Sequence, residues 1–543
     1  MTAWGILGAV SPNLSNWLTP LWLLGIGALC GLAILLVLWL LAFLASRLTP
    51  LDDSAAGASS ADETWLHRLV RIPLILLSRR TVREIPGAVR EGGLWPVLMA
   101  AIGLSVFGVV GVLFVQEPLP LLRALGRLPE FGTKTLEASV PVSERQDAND
   151  ELSDPVAHEV AVSFRLDEVR QIVFRSNQNL TIATQPFNVV KAGAEIELIA
   201  GEEFKWVASQ QAVNPFVEQD VERFYVRNLG SSPATLTSII STAPPHPEVL
   251  TIPITALVVA AVFLLYLLQR FAAPRLSAIA LATYKSEIAQ PLFSIIAILG
   301  AVLVVFFLWI PYNTFGEDIK MLKDSGLTLI MILSIVLAVW AASSSISEEI
   351  EGRTALTVLS KPIGRPSFIV GKFVGIVWTV TALFVILGLL LLIVVAYKPI
   401  YDGRESSTQD VTWQLCHLEM TSVIPGLALA FMETLVLAAL SVAISTRLPW
   451  LANLVICFTI YALGHLTPLI VQSSYGQLAP VQFIGQLIAT VFPNLDHFNI
   501  QAAVAAGVPV PPLYLVWALV YCLIYSLIAM LLALVLFEDR DLA

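Results

Sequence analysis

Charge is scarce in this sequence. Only 13% of its 543 residues are Asp, Glu, Lys or Arg, about half the share expected of a soluble domain. With 57% of the residues apolar, a water-soluble globule is excluded. Cysteine is scarcer still. Cys30, Cys457 and Cys522 fall in apolar runs and Cys416 between them, with no CxxC and no His/Cys spacing. That leaves neither a disulfide framework nor a metal site. The first apolar run also lacks a basic segment ahead of it, so it reads as a retained anchor rather than a cleaved signal.

What the chain does have is apolar length. A helix needs about 20 mostly apolar residues to cross a bilayer. Nine runs meet or approach this, at 17–44, 94–115, 252–268, 293–311, 327–342, 368–396, 424–444, 450–471 and 513–537. A tenth, 478–492, is short and bounded by Pro480 and Pro493, which suggests a re-entrant segment. With nine crossings, sixteen Lys and Arg fall on one side, against four (Lys320, Lys323, Lys398 and Arg404) in the short loops of the other, the long segment 116–251 being left out of the count. The basic excess marks the cytoplasmic side. The expectation is a multi-pass protein of the plasma (inner) membrane, N-terminus outside and C-terminus cytoplasmic.

Residues 116–251 break the apolar pattern. They hold 19 acidic and 11 basic residues, which is −8 of the chain's net −10. Runs such as "HEVAVSFRL", "VRQIVFRS", "LTIATQ", "AEIELIAG" and "ERFYVRN" alternate or are rich in β-branched residues, separated by turn signals. The fold class expected is therefore a polytopic α-helical membrane protein, about nine spans plus a re-entrant segment, with an inserted extracytoplasmic β-sandwich-like domain. "EASVPVSERQDANDELSDP" reads as that domain's flexible acidic approach. The domains run 1–115 (a two-span anchor with a cytoplasmic loop at 45–93), 116–251 (the β domain), 252–272 (a third anchor span) and 273–543 (six spans). No catalytic triad, metal-ligand cluster or carboxylate pair stands out, and no nucleic-acid partner is expected.

Most of the cytoplasmic chemistry lies in "SSSISEEIEGRTALTVLSKPIGRPSFIVGKFVG", residues 343–375. Ser345 and Glu348 have capping-box spacing, which predicts a short helix starting at Ser345–Ser347 and ending near Leu359, before Ser-Lys-Pro. Glu348 and Glu351 would share a face, Glu349 would lie beside them, and Leu356 and Leu359 would supply apolar contacts. A solvated loop with a stop signal explains the same residues equally well.

This stretch resembles the ABC-2 type permeases, the membrane subunits of ATP-binding-cassette transporters. Ile346, Ser347, Glu349, Glu351, Leu359, Ser360, Pro362, Arg365, Gly371 and Lys372 match the family's pattern, while Arg353 separates Gly352 from Thr354 and Val358 replaces a Leu. "LATYKSEIAQPLFS" is similar to the family's amphipathic lead-in helix, "GEDIKMLKDSGLTLI" to an outer loop and "LFEDRDL" to its tail. The resemblance implies a coupling helix at about 346–360, with Ser347, Glu348, Glu349, Glu351, Arg353, Thr354, Leu356, Leu359, Pro362 and Arg365 meeting a separate ATPase. It implies a homodimer or paired permease, and ATP with magnesium on the ATPase rather than a cofactor on this chain. A phosphate-binding loop is lacking: around Gly371-Lys372, Pro366 holds the first-glycine position and Phe373 the Ser/Thr position.

Two ionisable residues lie inside apolar runs, Glu433 and His465. Counted from the Arg447 turn, they differ by four residues in depth, about 6 Å along the helix axes. They form a candidate intramembrane pair, lining a route or only fixing helix packing. The function expected is a permease subunit that moves a substrate, with export implied. The alternatives are an ATP-driven mechanotransmitter or assembly factor acting through the outer domain, and an enzyme acting on lipid-linked substrates. The last needs clustered acidic or His residues at one membrane face, which are lacking.

Overall fold

A computed structural model describes residues 12–48, 79–115, 118–143, 157–187, 195–208, 220–228, 230–310, 318–347, 364–405, 411–472 and 492–538, with 349, 483, 485 and 487 singly. Contacts divide the chain into two units. One comprises the chain up to Gln116 together with Thr251–Ala543, and the other is Glu117–Leu250.

The first unit is helical. In chain order its helices are α1 (Pro12–Leu48), α2 (Arg79–Glu91) and α3 (Trp95–Val110). In the second unit, α4 (Pro118–Gly126) leads into the strands. The first unit then resumes with α5 (Thr251–Ala272), α6 (Pro274–Ala289), α7 (Pro291–Phe306) and α8 (Asp318–Ala342). The remainder are α9 (Arg365–Glu405), α10 (Trp413–Ser422), α11 (Ile424–Ser445), α12 (Trp450–Gln472), α13 (Gln501–Ala505) and α14 (Pro512–Glu538). Among the described residues, seven helical segments are long and apolar enough to cross a membrane. The pair α6–α7, bent by 63° at Gln290–Pro291, would make an eighth. The apolar part of α12 is shorter, Trp450–Leu466. The run 478–492, read as re-entrant, lies almost wholly outside the described residues.

Burial separates centre from periphery. In α8 and α9, 67% of the most apolar stretch is buried, against 11% in α1. The centre is closed by aliphatic residues such as Leu327, Ile330, Leu387, Leu391 and Val436, all inaccessible. At the periphery α1 approaches α3 and α5 through glycines. A Cβ on Gly25 would meet Leu104 O at 2.5 Å, and one on Gly27 would meet Thr255 Cβ at 2.7 Å. Small residues allow such contact between membrane helices, where dispersion rather than water exclusion drives association.

"GEDIKMLKDSGLTLI" is not an outer loop throughout: α8 already begins at Asp318. Lys323 is fully buried there, its ammonium bonded to the Glu419 carboxylate and, at 2.8 Å, to Ser422 Oγ of α10. Lys398, just past the apolar run that ends at 396, is likewise buried in α9, 2.9 Å from Asp402 Oδ1. Pairing lets both charges enter helices that composition alone ends sooner.

The second unit is a sandwich of two four-stranded antiparallel sheets, ordered β1-β8-β3-β6 and β2-β7-β4-β5. The strands are β1 (Gly132–Val140), β2 (His158–Arg165), β3 (Val169–Ser176), β4 (Leu180–Ala183), β5 (Ile196–Leu198), β6 (Glu203–Val207), β7 (Asp220–Asn228) and β8 (Ala234–Thr242). Alternating apolar side chains from both sheets meet in one core, where Phe174 of β3 stands edge-on to Phe224 of β7 at 5.4 Å. The acidic approach expected at 137–155 starts too early, since Glu137–Val140 pair with Ala234–Thr237 as the end of β1. Arg127 donates two hydrogen bonds, of 2.5 and 2.9 Å, to the buried Glu168 carboxylate. That bonding raises the guanidinium above its ordinary value.

Candidate functional site

Three consecutive serines follow the apolar length of α8. Hydroxyls placed in a helix compete for backbone carbonyls. Here the helix widens into a π-turn, Ser343–Ser347, instead of ending. Ser343 Oγ donates to Val339 O at 3.0 Å, and Ser344 Oγ donates to both oxygens of Glu287 on α6, at 3.0 and 3.2 Å. The helix predicted to start at Ser345–Ser347 therefore does not begin there. Those residues are buried, and the α8 spiral runs through them.

Asn453, near the start of α12, gathers the neighbouring hydroxyls. Its Nδ2 lies 2.8 Å from Ser343 Oγ of the π-turn and 2.8 Å from both Ser441 Oγ and Ser445 Oγ of α11. Its Oδ1 accepts from Cys457 Sγ at 3.3 Å. Ser347 Oγ adds a bond to Leu448 O, in the turn between α11 and α12, at 3.3 Å. Between α6 and α7, Gln290 Oε1 accepts from Trp340 Nε1 at 2.8 Å, so the bend is tied to the end of α8.

The far arm of the connection is fixed as well. Lys372 of α9 donates to Glu349 Oε1 at 2.5 Å, with its aliphatic stem buried and its ammonium 5.6 Å from the Phe368 ring centroid. Phe368 stacks on Phe537 of α14 at 5.8 Å, and Arg365 Nη1 donates to Glu538 O at 3.3 Å. Helices α6, α8, α9, α11, α12 and α14 are thus all fastened at the two ends of segment 348–363. Within it, Glu348, Glu351, Arg353, Thr354, Leu356, Leu359 and Pro362 lie outside the described residues.

Deeper in the bundle, Glu433 Oε1 of α11 is 2.8 Å from His465 Nε2 of α12, and Tyr461 meets the His465 ring edge-on at 4.8 Å. Glu433 is buried and His465 partly exposed. Among the described residues no group of three or more His, Cys, Asp or Glu could hold a metal ion. The reading of the sequence missed the Asn453 cluster, the Glu287–Ser344 bond and the Lys323–Glu419 pair. A signal for the first was present: Ser441 and Ser445 are four apart on one face, and Asn453 is an amide inside an apolar run.

Apolar helices bracing one another through buried hydroxyls, amides and paired charges define a multi-pass membrane protein whose polar contacts concentrate at one interhelical connection. The family model for ABC-2 family transporter proteins matches residues 207–542, more than half of the sequence, and the chain belongs to that family. The matched region takes in the last two strands of the sandwich and every helix from α5 onward. Members are typically non-catalytic membrane subunits that pair with ATPase subunits. A comparison with curated proteins finds no match.

Proposed function

We propose that this chain is a permease subunit that exports a substrate across the plasma membrane, driven by a separate ATPase docked on segment 346–360. The observation that carries the reading is the double fastening of that segment. At its start Ser343 and Ser347 hold it to α11 and α12 and Lys372 of α9 holds Glu349, and just beyond its end Arg365 bonds Glu538 O of α14. A load applied to the segment then reaches six helices without passing through a loose hinge. Two copies would act with two ATPases, which bind ATP and magnesium. The N-terminus and the sandwich lie outside, and the C-terminus in the cytoplasm.

Since Lys372 already takes one oxygen of Glu349, Glu349 braces the segment, and docking falls to Glu348, Glu351, Leu356 and Leu359. The Glu433–His465 pair lines the route between helices. Removing one partner of a buried charge pair costs about 2–5 kcal/mol, enough to uncouple two proteins. The test is Glu348→Ala with Glu351→Ala in the full chain, co-expressed with the candidate ATPase. Insertion and abundance should persist while co-purification, or stimulation of ATP hydrolysis, is lost. Full association and full stimulation in the double variant refute the proposal.

A further inference from the structure

An apolar groove of about 590 Å³ lies between α1, α2, α3 and α5, apart from the connection described above. Its walls include Leu35 and Leu36 of α1, Val89 of α2, Leu98 of α3, and Phe263 and Leu264 of α5. The α2 wall is fixed by a specific exchange. Pro86 stands inside α2 and has no N–H, so the carbonyl four residues earlier, Val82 O, loses its helical donor. Trp39 of α1 replaces that donor, its Nε1 reaching Val82 O at 3.0 Å. From the opposite side Tyr266 Oη of α5 donates to Ala88 O at 3.3 Å. Helix α2 is pinned at two carbonyls, with Val82 buried, and Trp39 and Pro86 both line the cleft.

The chemistry of the cleft is uneven. Almost all of its lining is hydrocarbon, yet Arg90 sits at its edge, exposed and with no ion-pair partner among the described residues. Leu36 and Leu264 are 56% and 47% exposed, so the cleft is open along spanning helices. The apolar ligand available there is a lipid chain, and one arginine at the rim suits a phosphate.

We propose that this groove is a lipid site that takes an acyl chain of an anionic phospholipid, with the phosphate against Arg90. The site does not depend on the transport reading. Trp39 supplies its reporter, since bromine on an acyl chain quenches an indole it touches. The purified full chain is reconstituted in phosphatidylcholine vesicles with a minor fraction of either brominated phosphatidylglycerol or brominated phosphatidylcholine. Quenching should favour the anionic lipid about fivefold in apparent affinity, the size one arginine at a membrane surface supplies. Arg90→Gln should abolish the preference, and Trp39→Phe should remove the preferential component of the quenching. Because Trp39→Phe also loosens α2, native mass spectrometry of the Arg90→Gln chain gives a second reading. Retained phosphatidylglycerol, present on the unaltered chain, should be missing. Equal quenching by the two lipids, or a preference that survives Arg90→Gln, overturns the proposal. So does quenching by neither, which would mean that the cleft is filled by this chain's own residues, such as 65–78.

Discussion

Replacing Asn453 with leucine removes an amide from the junction of α8, α11 and α12 while keeping the branched shape of the side chain. Three serine hydroxyls lie 2.8 Å from Nδ2, but an amide nitrogen carries only two hydrogens, so two bonds are made at a time. A hydrogen bond between membrane helices contributes about 0.6 kcal/mol on average and about 1.7 kcal/mol at most. The loss is then about 1–3 kcal/mol. Ser343 keeps its bond to Val339 O, and Ser441 and Ser445 can turn to carbonyls of their own helix, which puts the cost in the lower half of that range. Unfolding of the purified chain by dodecyl sulfate in mixed micelles, followed by circular dichroism, measures it. A cycle with Ser343→Ala should show positive coupling, because Ser343 and Asn453 share one bond. Activity should fall further than stability does, since the π-turn loses its bond to Asn453 and keeps its Ser347–Leu448 bond to the α11–α12 turn. An Asn453→Leu chain that unfolds with the native midpoint, or that shows no coupling to Ser343, refutes the assignment of the amide as the brace of this connection.

Gly108→Val should separate α3 from α1, because a Cβ there meets Gly25 C at 2.6 Å; overpacking of this kind costs about 1–3 kcal/mol, read in the same unfolding assay. Residues 117–250 expressed alone should give a β-type circular dichroism spectrum and one cooperative melt, and Arg127→Met should destabilise that domain by about 2 kcal/mol by stranding Glu168, a value discounted because Arg127 is 39% exposed. In a chain without its native thiols, Thr235→Cys should react with an impermeant reagent on intact cells and Gly87→Cys should not, both positions being exposed; the reverse pattern inverts the proposed orientation. Lys372→Met should leave insertion unchanged and lower ATPase stimulation, since the tie between Glu349 and α9 is then lost.

The helical frame was legible because apolar length is a local property. Each run of apolar residues from 17 to 537 that reads as a span falls on a helix, and five strands fall on the alternating runs. What escaped was decided by partners distant in sequence. The end of strand β1, Glu137–Val140, reads as the start of a polar linker because eight of the strand's nine residues are not buried, and only its pairing with β8 makes it a strand. Lys323 reads as a loop residue until Glu419, 96 residues later, neutralises it inside the bundle. The 63° bend at Gln290–Pro291 coincides with a proline that is local, but the Trp340 indole bonded to Gln290 there comes from 50 residues away.

The connection at 343–365 shows the same division within a site. Its carboxylates can be found by motif, but a motif does not say whether a carboxylate faces a partner protein or its own chain. Capping-box spacing at Ser345 and Glu348 pointed to a helix start, whereas burial among Glu287, Asn453 and the α11–α12 turn makes the serines the last turn of α8. The consequence is mechanical. A new helix hinged at Ser345 could swing while α8 stayed still, whereas under the proposed coupling a π-turn continuous with α8 would carry displacement into the bundle, and Asn453 would pass it on to α11 and α12. On this geometry the polar residues beside the connection matter as much as those within it.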